Sequence, residues 1–266
     1  MGAELLIAVD QEGGPVTRIE EGVPALPAAR EVGLTQTPEE AGATAKETAA
    51  ALLALGVNTN LAPVADVVKD PDHFLYERSY SGDAVQVAKF VEAVVTGYRE
   101  SGLICAIKHF PGHGAGAGDT HEGSAAANVT PEEWRRTHLP PFAAAVAAGA
   151  PLVMTAHLTA PAFDPENPAS QSTAVIEDLL RRELGFEGVV ITDDLSMAAA
   201  GADPGEAAVR SLVAGADLLI LSATGSTPRA VQIDISEAVQ SGRLSRARLA
   251  EAVQRVLELK REFGLY

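Results

Sequence analysis

Six short apolar runs punctuate the chain, at residues 5–10, 57–63, 104–110, 152–158, 188–194 and 217–222. Each is rich in Val, Ile and Leu, shows little alternation and ends in polar residues. An apolar run without alternation suits a strand covered on both faces, as in a parallel sheet. Helix-starting chemistry lies between the runs. Thr130, Pro131 and Glu133 combine an N-cap, a first-turn proline and a capping-box acid, and Asp203, Pro204 and Glu206 repeat the pattern. Asp83 predicts the start of a helix running toward Gly102, while Gly149, Gly185, Gly215 and Gly242 sit where helices should stop. All of these stop glycines but Gly242 lead within a few residues into the next apolar run. The alternation of strand, loop, helix and turn predicts a right-handed parallel α/β architecture.

Two such architectures compete: an open doubly wound sheet with one crevice at a strand-order switch, and a (β/α)8 barrel with one mouth. Asp10, Asn60, Lys108, His109, His157, Asp193 and Asp194 all lie at the C-terminal ends of separate apolar runs. Only a closed barrel brings so many strand ends to a common centre, so the expected fold is a TIM-type (β/α)8 barrel, one domain over residues 1–266, with six of its strands legible. The length of 266 residues suits such a barrel.

Composition narrows the function classes. With 47% hydrophobic and 21% charged residues the chain can bury a core, which excludes disorder for most of it. A net charge of -16 disfavours attraction to nucleic acid or anionic lipid. The single cysteine, Cys105, excludes an internal disulfide framework and a cysteine-rich zinc module. No run approaches the ~18 apolar residues of a membrane span, and the first ten residues lack a basic n-region. The expectation is a cytoplasmic monomer without cofactor.

The richest chemistry lies in residues 108–121. Lys108, His109, His113, Asp119 and His121 follow a buried strand, and four glycines between 112 and 118 make the intervening loop pliable. A carboxylate two residues from an imidazole can fix its tautomer and raise its proton affinity, so Asp119 and His121 form a candidate acid/base dyad. Two other readings stand beside it: His109, His113 and His121 converging on zinc with Asp119, or a solvated histidine-rich loop. At the end of the fifth run, Asp193 and Asp194 should point to opposite faces, so that one aims into the barrel mouth and the other serves the turn. Asp10 ends the first run and can accept two sugar hydroxyls. Arg18 and Arg78 alone read as a surface charge and a loop anchor, and Trp134 as packing.

Taken together, these segments resemble family 3 glycoside hydrolases, specifically the single-domain, NagZ-type β-N-acetylhexosaminidases. The matching residues are 10–14 (Asp-Gln-Glu-Gly-Gly) with Arg18, 61–66 (Leu-Ala-Pro-Val-Ala-Asp), 77–80 (Glu-Arg-Ser-Tyr), 108–114 (Lys-His-Phe-Pro-Gly-His-Gly), Asp119 with His121, 185–188 (Gly-Phe-Glu-Gly) and 192–197 (Thr-Asp-Asp-Leu-Ser-Met). They run in the family's order over residues 8 to 200, and Pro15 stands where arginine is common. The resemblance implies retaining hydrolysis of a terminal N-acetylglucosamine from peptidoglycan- or chitin-derived fragments. It makes Asp193 the nucleophile and His121 the acid/base assisted by Asp119. Sugar contacts carry over to Asp10, Arg18, Arg78, Lys108 and His109, Asp66 is a structural position, and no metal is implied. The resemblance also implies a barrel lacking the first N-terminal strand–helix unit. Phosphorolysis, β-glucosidase activity and an inactive sugar-binding paralogue are the alternatives.

Overall fold

All six apolar runs contain strands. In the computed structural model, which describes residues 4–116, 125–222 and 227–266, β1 (Ala8–Val9), β2 (Thr59–Asn60) and β3 (Ile104–Phe110) pair in parallel. Next in the chain come β4 (Ala125–Ala126), β5 (Leu152–Thr155), β6 (Leu158–Ala160), β7 (Asp164–Pro168), β8 (Val189–Asp194) and β9 (Leu218–Ile220). The main sheet is six-stranded and curled, in the order β1-β2-β3-β5-β8-β9, with every pairing parallel. Among the described residues β1 and β9 pair along one edge each, so the sheet forms part of a barrel.

Both faces of this sheet are buried, which explains runs without alternation. Cys105, Ile107, Val153 and Val190 point outward, into a cluster with helices α2 (Pro38–Ala54), α3 (Ala84–Glu100) and α5 (Pro140–Ala147) and the π-helical segment Ala174–Glu183. Their neighbours Ile104, Ala106, Leu152, Met154, Val189 and Ile191 point inward. There they meet Leu61 and, from the C-terminal helix Arg246–Glu262, Leu259. This helix covers the concave face toward the strands' N-terminal ends and leaves the opposite ends free for a cavity. The short α1 (Ala29–Thr35) and α4 (Pro131–Glu133), with α6 (Pro204–Ala214) and α7 (Pro228–Gln240), complete the helices, and the C-terminal one is α8.

The punctuation works as expected. Asp83 accepts the Gln86 amide at 2.9 Å, Asp203 those of Gly205 and Glu206, and Thr130 that of Glu133. Gly149, Gly185, Gly215 and Gly242 all have positive φ, the left-handed conformation that stops a helix. Two features differ from expectation. The run at 152–158 is split: β5 ends at Thr155 and β6 starts at Leu158, where it joins a second sheet, parallel to β4 and antiparallel to β7. The helix capped by Thr130 is a three-residue turn passing into the π-helical segment Trp134–His138.

Candidate active site

The C-terminal ends of the strands surround a cavity of about 330 Å³ bordered by Asp10, Arg18, Arg78, Lys108, His109 and Asp193, together with Glu12, Phe74, His113 and Asp194. Six positions expected from the sequence therefore meet at one place, although they come from elements up to 183 residues apart.

The segment after β1 is tied down first. Asn60 at the end of β2 accepts the Gln11 amide and donates to the Gln11 carbonyl, each at 3.0 Å. The buried Gln11 side chain accepts the amides of Arg18 and Ile19 at 3.0 Å and donates to the Ile19 carbonyl at 2.9 Å. This folds the loop back and returns the exposed Arg18 to the cavity rim. Asp10 and Glu12, two residues apart, both reach Lys108: its Nζ lies 2.5 Å from Asp10 Oδ1 and 2.6 Å from Glu12 Oε1. Glu12 also takes a bidentate pair from Arg78, Nε at 2.8 Å and Nη2 at 2.9 Å.

Burial pushes the Glu12 carboxyl up, but the charges of Lys108 and Arg78 and their hydrogen bonds outweigh it and hold the group at about 2. For Lys108, burial favours the neutral amine, and Glu12 with Asp10 reverses that, so its pKa is raised. Arg78 is raised in the same way, with Glu12 overcoming desolvation. The wall stays charged at neutral pH.

His109 is fixed by Asp66. Its Nδ1 lies 2.7 Å from Asp66 Oδ2, which also accepts the His109 amide at 3.2 Å, while Asp66 Oδ1 accepts the Gly114 amide at 3.3 Å. Burial raises the Asp66 carboxyl, and the His109 charge and hydrogen bond overcome that to leave it at about 2. A carboxylate can only accept, so Nδ1 carries a proton toward Asp66, and Nε2 stands 3.4 Å from Arg78 Nη2. Gly114 is required for this contact, because a Cβ there would lie 2.4 Å from the Val67 carbonyl oxygen. Asp66 is thus a positioning group behind His109, as its structural assignment anticipates.

Asp193 ends β8 half-buried, one carboxyl oxygen accepting the Asp194 amide at 2.8 Å. Burial raises its pKa, but His109, His157, the Asp194 amide and Lys108 pull it below the usual carboxylate range. Asp194 also borders the cavity, so the expectation that only one of the pair faces the mouth is incomplete. Its carboxylate is occupied by the turn, accepting the Ser196 amide at 2.9 Å and the Ser222 amide at 3.0 Å. His157, between β5 and β6, holds the same turn: Nε2 lies 3.0 Å from the Asp194 carbonyl and Nδ1 2.7 Å from Ser170 Oγ. Trp134 is fully buried packing.

Asp119 and His121 lie outside the described residues. Of the alternative zinc set, His109 and His113 stand with ring centroids 6.0 Å apart, and the other two members also lie outside. Sequence reasoning missed Glu12, Phe74 and His113 as wall residues. For Glu12 the signal was available: two residues from Asp10 in extended chain, it shares that residue's face.

Comparison with known proteins places this geometry. Residues 1–259 match the model of the glycosyl hydrolase family 3 N-terminal domain. The chain belongs to glycosyl hydrolase family 3. Among family relatives, it is 40% identical over 225 residues to a beta-hexosaminidase of Stenotrophomonas maltophilia, covering 81% of this chain and 66% of that protein. It is 34% identical over 268 residues to the beta-hexosaminidase LpqI of Mycobacterium tuberculosis, covering 96% and 68%. Among solved structures, the family 3 β-N-acetylglucosaminidase of Paenibacillus sp. FPU-7 superposes with a TM-score of 0.93 at 39% identity, covering 98% of this chain and 51% of that one. A β-N-acetylhexosaminidase of Beutenbergia cavernae superposes at 0.89 with 35% identity, covering 96% and 78%. The family 3 chain described here thus spans between half and four-fifths of the length of these relatives. Among its described residues no helix is long and apolar enough to cross a membrane.

Proposed function

We propose that this family 3 chain is a retaining exo-β-N-acetylglucosaminidase that removes terminal N-acetylglucosamine from peptidoglycan- or chitin-derived fragments. The observation carrying the reading is that Asp193, its carboxyl held below the usual range, borders the same cavity as the Asp10–Lys108–Glu12–Arg78 network. An anionic carboxylate facing a wall of fixed hydrogen-bonding groups is what a glycosyl nucleophile needs.

In the first step an Asp193 oxygen bonds to the anomeric carbon while the glycosidic C–O bond breaks, and His121 gives its proton to the departing oxygen. In the second, His121 takes a proton from water, the water oxygen bonds to the anomeric carbon, and the Asp193 carboxylate leaves. Asp119 orients the imidazole. Asp10, Lys108, Arg78, His109 and Arg18 hold the hydroxyls of the terminal sugar. Lys108 donates to oxygens and Asp10 accepts from hydroxyls, and their mutual contact at 2.5 Å keeps both aimed before substrate arrives.

A chromogenic N-acetyl-β-glucosaminide tests the reading. Wild-type protein is expected to release the chromophore, the Asp193→Ala variant to be slower by roughly 10³-fold or more, and the β-anomer of the sugar to appear first by proton NMR. Equal rates for the two proteins, or the α-anomer appearing first, would overturn it.

A further inference from the structure

The loop after β2 carries an aromatic ring that the displacement chemistry leaves unused. Phe74 borders the cavity and is 36% exposed, whereas Phe90, Phe110 and Phe142 are buried in the core. A single exposed apolar side chain is ordinary on a protein surface. What sets Phe74 apart is how it is braced. The His73 ring stacks on it, with centroids 4.8 Å apart and planes 23° from parallel, and the His113 ring meets it at 5.1 Å and 80°. Both braces are fixed. His73 Nδ1 accepts the Leu75 amide at 3.1 Å, so Nε2 carries the proton and donates it to the Gly116 carbonyl at 3.1 Å. His113 is buried and stands against His109 at the end of β3. The phenyl ring is thus held at the cavity by imidazoles on two segments.

The rest of the wall divides by depth. Leu61, Met154 and Ile220 come from the strands or the residue next to them and belong to the inner apolar cluster, so they form the floor. Lys108, Glu12 and Arg78 form the charged flank suited to one polyhydroxylated ring. Phe74 stands on the loop between β2 and α3, at the border of the cavity and partly open to solvent, a position from which it can meet the part of a substrate that extends beyond the terminal sugar. An aromatic face attracts the C–H face of a pyranose, and a phenylalanine offers that area with only two side-chain torsions to fix.

We propose that Phe74 is the platform for the leaving-group side of the substrate, stacking on the pyranose ring to which the terminal sugar is β-linked. This rests on the function proposed above. It makes the chain selective for saccharide leaving groups over small ones, a preference set by a residue that touches no reacting atom.

Two substrates that share the transferred sugar and differ in the leaving group separate the ideas: the β-1,4-linked disaccharide of N-acetylglucosamine, and N-acetyl-β-glucosaminyl fluoride, whose leaving group has no ring. Phe74→Ala is expected to lower kcat/KM for the disaccharide on the order of tenfold, chiefly through KM, and to leave the fluoride unchanged. Phe74→Tyr is expected to restore the disaccharide rate, and the fluoride rate shows that each variant is folded. Equal losses on both substrates, no loss on the disaccharide, or a wild-type protein active on the fluoride alone would each overturn the platform while leaving the hydrolase standing. A wild-type protein inert to both would overturn the hydrolase and the platform with it.

Discussion

Glu12 holds the cationic wall together, since it is the carboxylate that Lys108 and Arg78 share. Glu12→Gln keeps the shape and removes the charge, leaving two buried cations, with Asp10 the remaining carboxylate on Lys108. Breaking a buried ion pair by removing one partner costs about 3–5 kcal/mol, more than an exposed pair contributes. The expected outcome is a urea midpoint lowered accordingly and a raised KM for N-acetylglucosaminides, checked by denaturation and steady-state kinetics on the same preparation. An unchanged midpoint would mean that the network contributes no stability. Most site residues are legible in the sequence because each ends an apolar run or sits in a polar loop beside one. Their pairing is not: Arg78 lies 66 residues from Glu12, and Lys108 lies 98 from Asp10. Asp66 shows the same limit. Its motif marks it as structural, but only the fold puts it 2.7 Å behind His109.

The C-terminal helix α8 is an element whose place depends on one carboxylate. Asp217, at the start of the last apolar run and fully buried at its side chain, accepts Arg181 at 2.7 Å, Arg248 at 2.5 Å, Arg255 at 3.1 Å and the Val190 amide at 3.0 Å. Two of these arginines are on α8 and one on the π-helical segment Ala174–Glu183, so a single side chain joins β8, β9 and two helices. Asp217→Asn leaves three guanidinium groups around a neutral amide, one of whose polar atoms must face them as a donor. A stability loss of about 3–5 kcal/mol is expected, with kcat of the folded protein unchanged because the latch lies at the opposite end of the strands from Asp193. Chemical denaturation and kinetics of the variant check both. At this scale the six main strands and most helix ends are readable, since burial on both faces removes alternation and glycine marks the stops. The second sheet is not. β4 has two residues, and β7 (Asp164–Pro168) contains two prolines and no aliphatic side chain. Its pairing is made by loop backbone, which leaves no pattern in the side chains. The π-helical segment likewise keeps its buried Val175, Ile176, Leu179 and Leu180 at spacings an ordinary helix would show.

For the molecule as a whole, pH sets buried titratable groups against surface charge. Burial, with the nearby His109 charge, depresses His113 to about 4, and burial depresses His138 to about 4 against the pull of Asp66 and Glu133. An unfolded chain returns both imidazoles to about 6.5, so between those values the unfolded state binds more protons. Their contribution to stability is complete above about pH 6.5 and is lost as pH falls toward 4. Glu12 and Asp66, held at about 2 in the fold, act in a lower window: their contribution is complete above about pH 4.5 and disappears as pH falls toward 2. The opposing effect is the net charge of -16, whose self-repulsion eases as carboxylates protonate. Exposed charges are screened beyond about 8 Å at physiological salt, and buried ones far less, so the buried groups dominate. Stability measured by urea unfolding should therefore be flat from pH 7 to 8. It should then fall by up to about 1.4 kcal/mol per pH unit for each proton taken up only on unfolding, first through the histidine window and then through the carboxylate one. His138→Gln should make the fall through the upper window shallower, with His113 still contributing, and leave the lower unchanged, while Glu12→Gln should do the reverse, with Asp66 still contributing. A stability that stays constant from pH 7 to 4 would show that easing surface repulsion cancels the effect of these buried groups, and one that rises would show that it outweighs them.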